Sequence, residues 1–118
     1  MTANKNLTGT NIGGVTLGRV PQVSPIFSYS IDGADIYIYA FKTEVSLVMV
    51  VAFDDTSTEE IWSAGVVRSL GDVVGILKIA EIDFPDDEDG GNPFEELNKD
   101  AKALRQLYKV ISHLLSGE

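Results

Sequence analysis

Phe27 to Phe53 reads FSYSIDGADIYIYAFKTEVSLVMVVAF, and this stretch decides the fold. Two alternating apolar runs flank Asp32-Gly33, and a denser apolar run follows. Asp-Gly accepts the positive φ that a type I′ turn needs at both central residues, so the first two runs form a hairpin. With a two-residue loop, Ile31 faces Ala34, Tyr29 faces Ile36 and Phe27 faces Ile38, an apolar face throughout. The opposite face carries Ile26, Ser28, Ser30, Asp35, Tyr37, Tyr39 and Phe41. It is polar near the turn and aromatic at the far end. Lys42-Thr43-Glu44 then turns the chain. If Phe41 faces Val45, Tyr39 meets Leu47 and Tyr37 meets Met49. The run from Val45 to Phe53 is apolar on both faces apart from Ser46, the pattern of a central strand covered on both sides. The aromatic face, with Tyr37, Tyr39, Phe41, Leu47 and Met49, therefore needs a cover. Either a helix of this chain or another subunit supplies it.

Outward from this meander, the 118 residues suit a single domain, residues 1–118, large enough for its own core. Residues 1–12 are polar and read as a loose N-terminal segment. Thr8 to Gly18 holds four of the eleven glycines. A phosphate-cradling loop would need a helix after it, and Val15-Thr16-Leu17 reads as a short strand instead. Pro21 and Pro25 make the strand from about residue 23 an edge at its start. Downstream, Ser57-Thr58-Glu59-Glu60 is a capping-box pattern that predicts a helix over about 58–70. Gly71-Asp72 then predicts a turn, and the β-branched stretch that follows a strand over roughly 73–84. One long helix to about 81 is the alternative. Asn92-Pro93-Phe94-Glu95 reads as N-cap, proline at the first helical position and an acid. The stripe Leu97, Ala101, Leu104, Tyr108, Ile111 and Leu115 predicts a final helix over 93–116. The expected class is α+β: an antiparallel sheet of three to five strands, its meander at 23–53, packed with two helices.

Composition limits the chemistry. Eighteen acidic residues against nine basic ones give a net charge of −9. Neutralising phosphates needs Lys and Arg, so nucleic acid is not an expected partner. There are no cysteines, which removes disulfides and thiolate nucleophiles. The N-terminus lacks the apolar core of a signal peptide, and no run is long enough to span a bilayer, so the expected location is cytoplasmic, without membrane insertion. Counted from Pro85 at the start of the acidic loop, Asp87, Asp89, Gly90 and Glu96 fall at positions 3, 5, 6 and 12 of a calcium loop. Pro85 at position 1 cannot ligate through a side chain, and an incoming strand breaks the helix–loop–helix frame. No metal or cofactor is expected. His113, the single histidine, shares a helix face with Lys102, Gln106 and Lys109 and reads as solvated. No nucleophile–base set is visible, so no catalytic residue is assigned.

The segment Asp32 to Asp55, DGADIYIYAFKTEVSLVMVVAFDD, resembles the middle of a roadblock or longin-type domain, where a glycine turn leads into an aromatic-aliphatic strand, a loop and an apolar strand, with a helix after it. A roadblock domain normally opens with a helix, and the first twenty-odd residues here do not read as helical. The resemblance implies a non-catalytic homodimeric adaptor that docks small GTPases or assembles a larger complex. It transfers no individual residue.

The expected function is thus a non-enzymatic protein-interaction or adaptor module, homodimeric, in a regulatory or scaffolding complex. Its candidate interface residues are Tyr37, Tyr39, Phe41, Leu47 and Met49, with Asp86, Asp87, Glu88 and Asp89 in the acidic loop. The alternatives are an acidic inhibitor or chaperone-like protein that holds a basic partner through residues 81–96, and a sensor of a cation or small molecule.

Overall fold

The computed structural model describes residues 11–12, 15–16, 24–31, 34–44, 46–54, 59–84 and 92–116. β1 (Asn11–Ile12) and β2 (Val15–Thr16) form a small antiparallel pair. β3 (Phe27–Ile31), β4 (Ala34–Lys42), β5 (Leu47–Asp54) and β6 (Glu59–Val67) form a four-stranded antiparallel sheet in that order. α1 (Leu70–Asp83), α2 (Pro93–Lys99) and α3 (Ala101–Leu115) follow. The class is α+β, with three helices among the described residues rather than the expected two.

The β3–β4 register is the expected one: Ile31 pairs with Ala34, Tyr29 with Ile36 and Phe27 with Ile38. Asp32-Gly33 itself lies outside the described residues. The next pairing departs from expectation. Phe41 pairs with Val48, Tyr39 with Val50 and Tyr37 with Ala52, three residues beyond the expected partners. The reason lies in the turn. Thr43 N–H donates to the Ser46 carbonyl at 2.7 Å, and Ser46 N–H donates to Thr43 Oγ1 at 2.9 Å. Thr43, Glu44 and Ser46 belong to the loop, and pairing begins at Lys42–Leu47. An odd offset turns every β5 side chain to the other face. Leu47 and Met49 therefore lie under the helices, and Val48, Val50 and Ala52 lie under the aromatic face.

The middle of the chain reverses the expected order of elements. The stretch expected as a helix over 58–70 is β6, and the stretch expected as a strand over 73–84 is α1. The alternative of one long helix fails too. Ser57 and Thr58 lie outside the described residues. A second hydroxyl–acid pattern, Ser69-Leu70-Gly71-Asp72, marks the helix start. The Asp72 carboxylate accepts from the N–H groups of Arg68, at 2.7 Å, and Ser69, at 3.3 Å. Gly71 sits in the first turn, and a Cβ on Gly75 would meet nothing within 4 Å, so both are tolerated. Val73, Ile76, Leu77 and Ala80 form the buried stripe. β6 has its own strand logic: Ile61 to Val67 complete the sheet beside the apolar β5.

The final helix breaks in two at Asp100, whose backbone is extended at φ −90 and ψ 92. Asp100 Oδ1 caps α3 by accepting from Ala103 N–H at 3.1 Å, and Oδ2 accepts the Tyr29 hydroxyl at 3.1 Å. The start of α2 is as expected: Asn92 Oδ1 accepts from Phe94 and Glu95 N–H, with Pro93 at the first position. Asn92 and Asn98 side-chain amides also donate to the Glu81 carbonyl and the Glu81 carboxylate, both at 2.9 Å, tying α2 to α1.

The helices cover one sheet face, and the core lies between: Ile36, Ile38, Met49 and Val51 from the sheet, Val73 and Leu77 from α1, Phe94 and Leu97 from α2, Leu107 and Ile111 from α3. A bulge in β6 beside Val51 and Ala52 leaves Trp62 between the paired residues Ile61 and Ser63. Trp62 joins Phe53, Phe84 and Phe94, with ring centroids 5.2 to 6.4 Å apart. Such contacts contribute beyond the area they bury. Buried Ser63 is satisfied by donating to the Ile76 carbonyl at 3.0 Å.

Two glycines test this arrangement in opposite directions. A Cβ on Gly65 would lie 3.0 Å from Ile76 Cδ1, so Gly65→Val should destabilise the fold by about 1–3 kcal/mol through overpacking. Gly75→Ala, on an open helix face, should stabilise it by up to about 1 kcal/mol in urea titrations followed by Trp62 fluorescence. A third test uses alkaline pH. Burial, the hydrogen bond to Asp100, and the charges of Asp100 and Glu96 raise the Tyr29 phenol above its usual 10.0. Its contribution is therefore complete below pH 10.0 and is lost as pH rises through the raised folded value. Tyr29→Phe should flatten that alkaline loss in melting temperature; an unchanged alkaline limb would contradict the bond.

Candidate functional site

The sheet presents two unlike faces. The helix-covered face is closed by the core described above. The other carries a second cluster in which Tyr39, Val48, Val50, Ala52 and Ile61 are buried, with Tyr37, Phe41, Ala64 and Val66 packed beside them. Among the described residues, every member of this cluster comes from β4, β5 or β6. β1 approaches β6.

The sequence-derived interface residues separate accordingly. Tyr37, Tyr39 and Phe41 share one face as expected, with Tyr39 buried and its two neighbours half-buried. Leu47 and Met49 belong to the opposite cluster, beneath the helices, and are buried in the core. They cannot act with the three aromatics as one surface. Asp86, Asp87, Glu88 and Asp89 lie outside the described residues. His113 is exposed on α3.

A notch of about 270 Å³ opens between Thr43 and Ser46, the end of β6 and the last turn of α3, with Leu47, Val67, Leu114 and Leu115 in its wall. Lys42, Arg68, Glu44, Thr43 and Ser46 line it. Lys42 Nζ donates to the Leu114 carbonyl at 3.3 Å, a cation placed at the negative end of a helix. Thr43 Oγ1 is engaged by Ser46 N–H within the turn. No group of three or more His, Asp or Glu side chains able to hold a metal occurs among the described residues. No described helix is long and apolar enough to cross a membrane.

The outer side of α1 is a surface that the sequence does not show, because the stretch reads as a strand. Val74 is 49% exposed, Ile79 48% and Ile82 69%. Lys78 lies among them and pairs with Glu81 at 3.5 Å. The signal that would have revealed this face is the Ser69–Asp72 cap. Once the helix starts there, Val73, Ile76, Leu77 and Ala80 fall on one side, and Val74, Ile79 and Ile82 fall outside that stripe.

The two sides of α1 should respond differently to truncation. Leu77→Ala removes a fully buried side chain and should destabilise by about 2–5 kcal/mol. Ile82→Ala should stay within about 0.5 kcal/mol, as exposed substitutions usually do. Equal losses in thermal unfolding would mean that α1 is oriented otherwise. The chain matches no protein-family model, no curated protein and no solved structure.

Proposed function

We propose that this chain is a non-enzymatic protein–protein interaction module that forms homodimers and serves in a regulatory or scaffolding complex. The observation that supports this reading is the placement of exposed apolar surface. Val74, Ile79 and Ile82 are the large apolar side chains that stand exposed among the described residues, and all three belong to α1. Their grouping on one helix, rather than over the whole surface, supports an interaction surface there. The resemblance of residues 32–55 to roadblock or longin-type adaptors points in the same direction.

Charge sets the character of the association. Two copies at −9 each repel, and salt screens that repulsion. Light scattering over a concentration series should show the mass rising from 12.8 kDa towards twice that value, with added salt strengthening the dimer. A mass fixed at the monomer value at every concentration and salt level would remove the homodimeric reading. An acidic inhibitor of a basic partner would instead lose binding as salt is added.

A further inference from the structure

We infer that the β1–β2 pair lies across the aromatic face of the sheet as a strap, an internal cover that leaves the face before the sheet itself unfolds. This side of the sheet lies away from α1, so the strap and the homodimeric reading stand or fall separately.

Burial on this face demands a cover. Val48, Val50 and Ala52 belong to the cluster on the side of β5 away from the helices, and each is 0% exposed. Their neighbours along the face are Phe41, Tyr39 and Tyr37 on β4, and Val66, Ala64 and Ile61 on β6. Those side chains stand beside them. Strand neighbours enclose a side chain laterally but do not close its tip, which projects from the sheet. A bare antiparallel face meets water. The helices do not supply the missing layer. The buried stripes of α1 and α3, with Phe94 and Leu97 of α2, all belong to the core on the other face.

The gradient of burial gives the direction from which the cover comes. On β3, at the far edge, Ser28 and Ser30 are exposed beside Tyr37 and Asp35. On β4, Tyr37 and Phe41 are half-buried and Tyr39 is buried. On β5 burial is complete, and Ile61 of β6 is buried too. The cover thus spans β5 and β6 and stops short of β3. β6 is approached by its sheet neighbour β5, by α1 on the helical side, and by β1. β1 and β2 pair with each other outside the four-stranded sheet, so β1 meets β6 without joining its ladder. With the helical side of β6 taken by α1, the aromatic face is the side left to β1.

The pair is also the part of the fold least able to stand alone. Each strand is two residues long. An isolated hairpin is at best marginally stable, so this one stays in place through what it covers. Such an element opens locally while the rest of the fold persists. Opening bares Tyr39, Val48, Val50 and Ala52 together, a contiguous apolar face of the kind that marks an interaction site.

The absence of cysteine allows a single spin label to be placed on the full-length chain. Asn11→Cys, and separately Thr16→Cys, carry a nitroxide while methyl resonances are recorded. Broadening is expected at Val48, Val50, Ala64 and Val66, with Leu107 and Ile111 beyond the sheet left sharper. Equal or stronger broadening at Leu107 and Ile111, or none at Val50 from either label, overturns the cover. In urea below the main transition, the broadening at Val48 and Val50 should be lost while Trp62 fluorescence keeps its native value. Broadening that persists until Trp62 reports unfolding would make the pair a fixed layer and overturn the strap.

Discussion

Thr43 and Ser46 close the connection between β4 and β5 by hydrogen bonds, and pairing of the two strands begins just beyond them, at Lys42 and Leu47. That short loop fixes which side of β5 meets the helices. Met49 and Val51 go into the main core with Ile36 and Ile38, while Val48, Val50 and Ala52 go beneath Tyr39. Shifting the turn by one residue would exchange the two sets, because side chains alternate along a strand. Both sets are apolar, so hydrophobic patterning alone does not select between them. The hydrogen bonds of the turn do.

The helical layer depends on β6 in a similar way. Gly65 lets α1 approach until Ile76 Cδ1 lies 3.0 Å from where a β-carbon would stand, and Ser63 holds the Ile76 carbonyl from the same strand. The bulge beside these residues places Trp62 at the end of the core, against Phe53, Phe84 and Phe94. The aromatic plug lies where β5 ends, α1 ends and α2 begins. Asp100 anchors the far side by capping α3 and accepting the Tyr29 hydroxyl from the edge strand. With α1 fixed on one side by these contacts, Val74, Ile79 and Ile82 are left facing outward, and the proposed interaction surface is a consequence of the packing.

Much of the fold was legible in the sequence, and the losses have identifiable causes. Asp32-Gly33 with its flanking alternation was enough to register β3 on β4, and Asn92-Pro93 was enough to start α2. The reading of 58–84 failed because it rests on the hydroxyl–acid pattern at 57–60, whereas the helix starts at a second such pattern, at 69–72. β-Branched residues such as Val73, Val74 and Ile76 carry only a small helix penalty, well under about 1 kcal/mol each, which burial against a sheet readily overcomes. Asp100 was hidden inside a continuous apolar stripe that fits an unbroken helix. The candidate surface was illegible for the same reason as α1: a helix face cannot be read from a stretch taken as a strand. Of the five apolar interface candidates, three share a face, and the register moved Leu47 and Met49 to the other.

The sequence by itself determined the α+β class, the β3–β4 hairpin and its register, the doubly covered strand β5, and the capped start of α2. Each of these is written in neighbouring residues, through turn chemistry, alternation or a cap. Only the tertiary structure decided the β4–β5 offset, the assignment of 59–67 to a strand and 70–83 to a helix, and the break at Asp100. In those places the local preferences of competing conformations differ by little. The offset fell to the Thr43–Ser46 hydrogen bonds, and the other choices to contacts between elements: Gly65 on Ile76, Tyr29 on Asp100, and Trp62 among the phenylalanines.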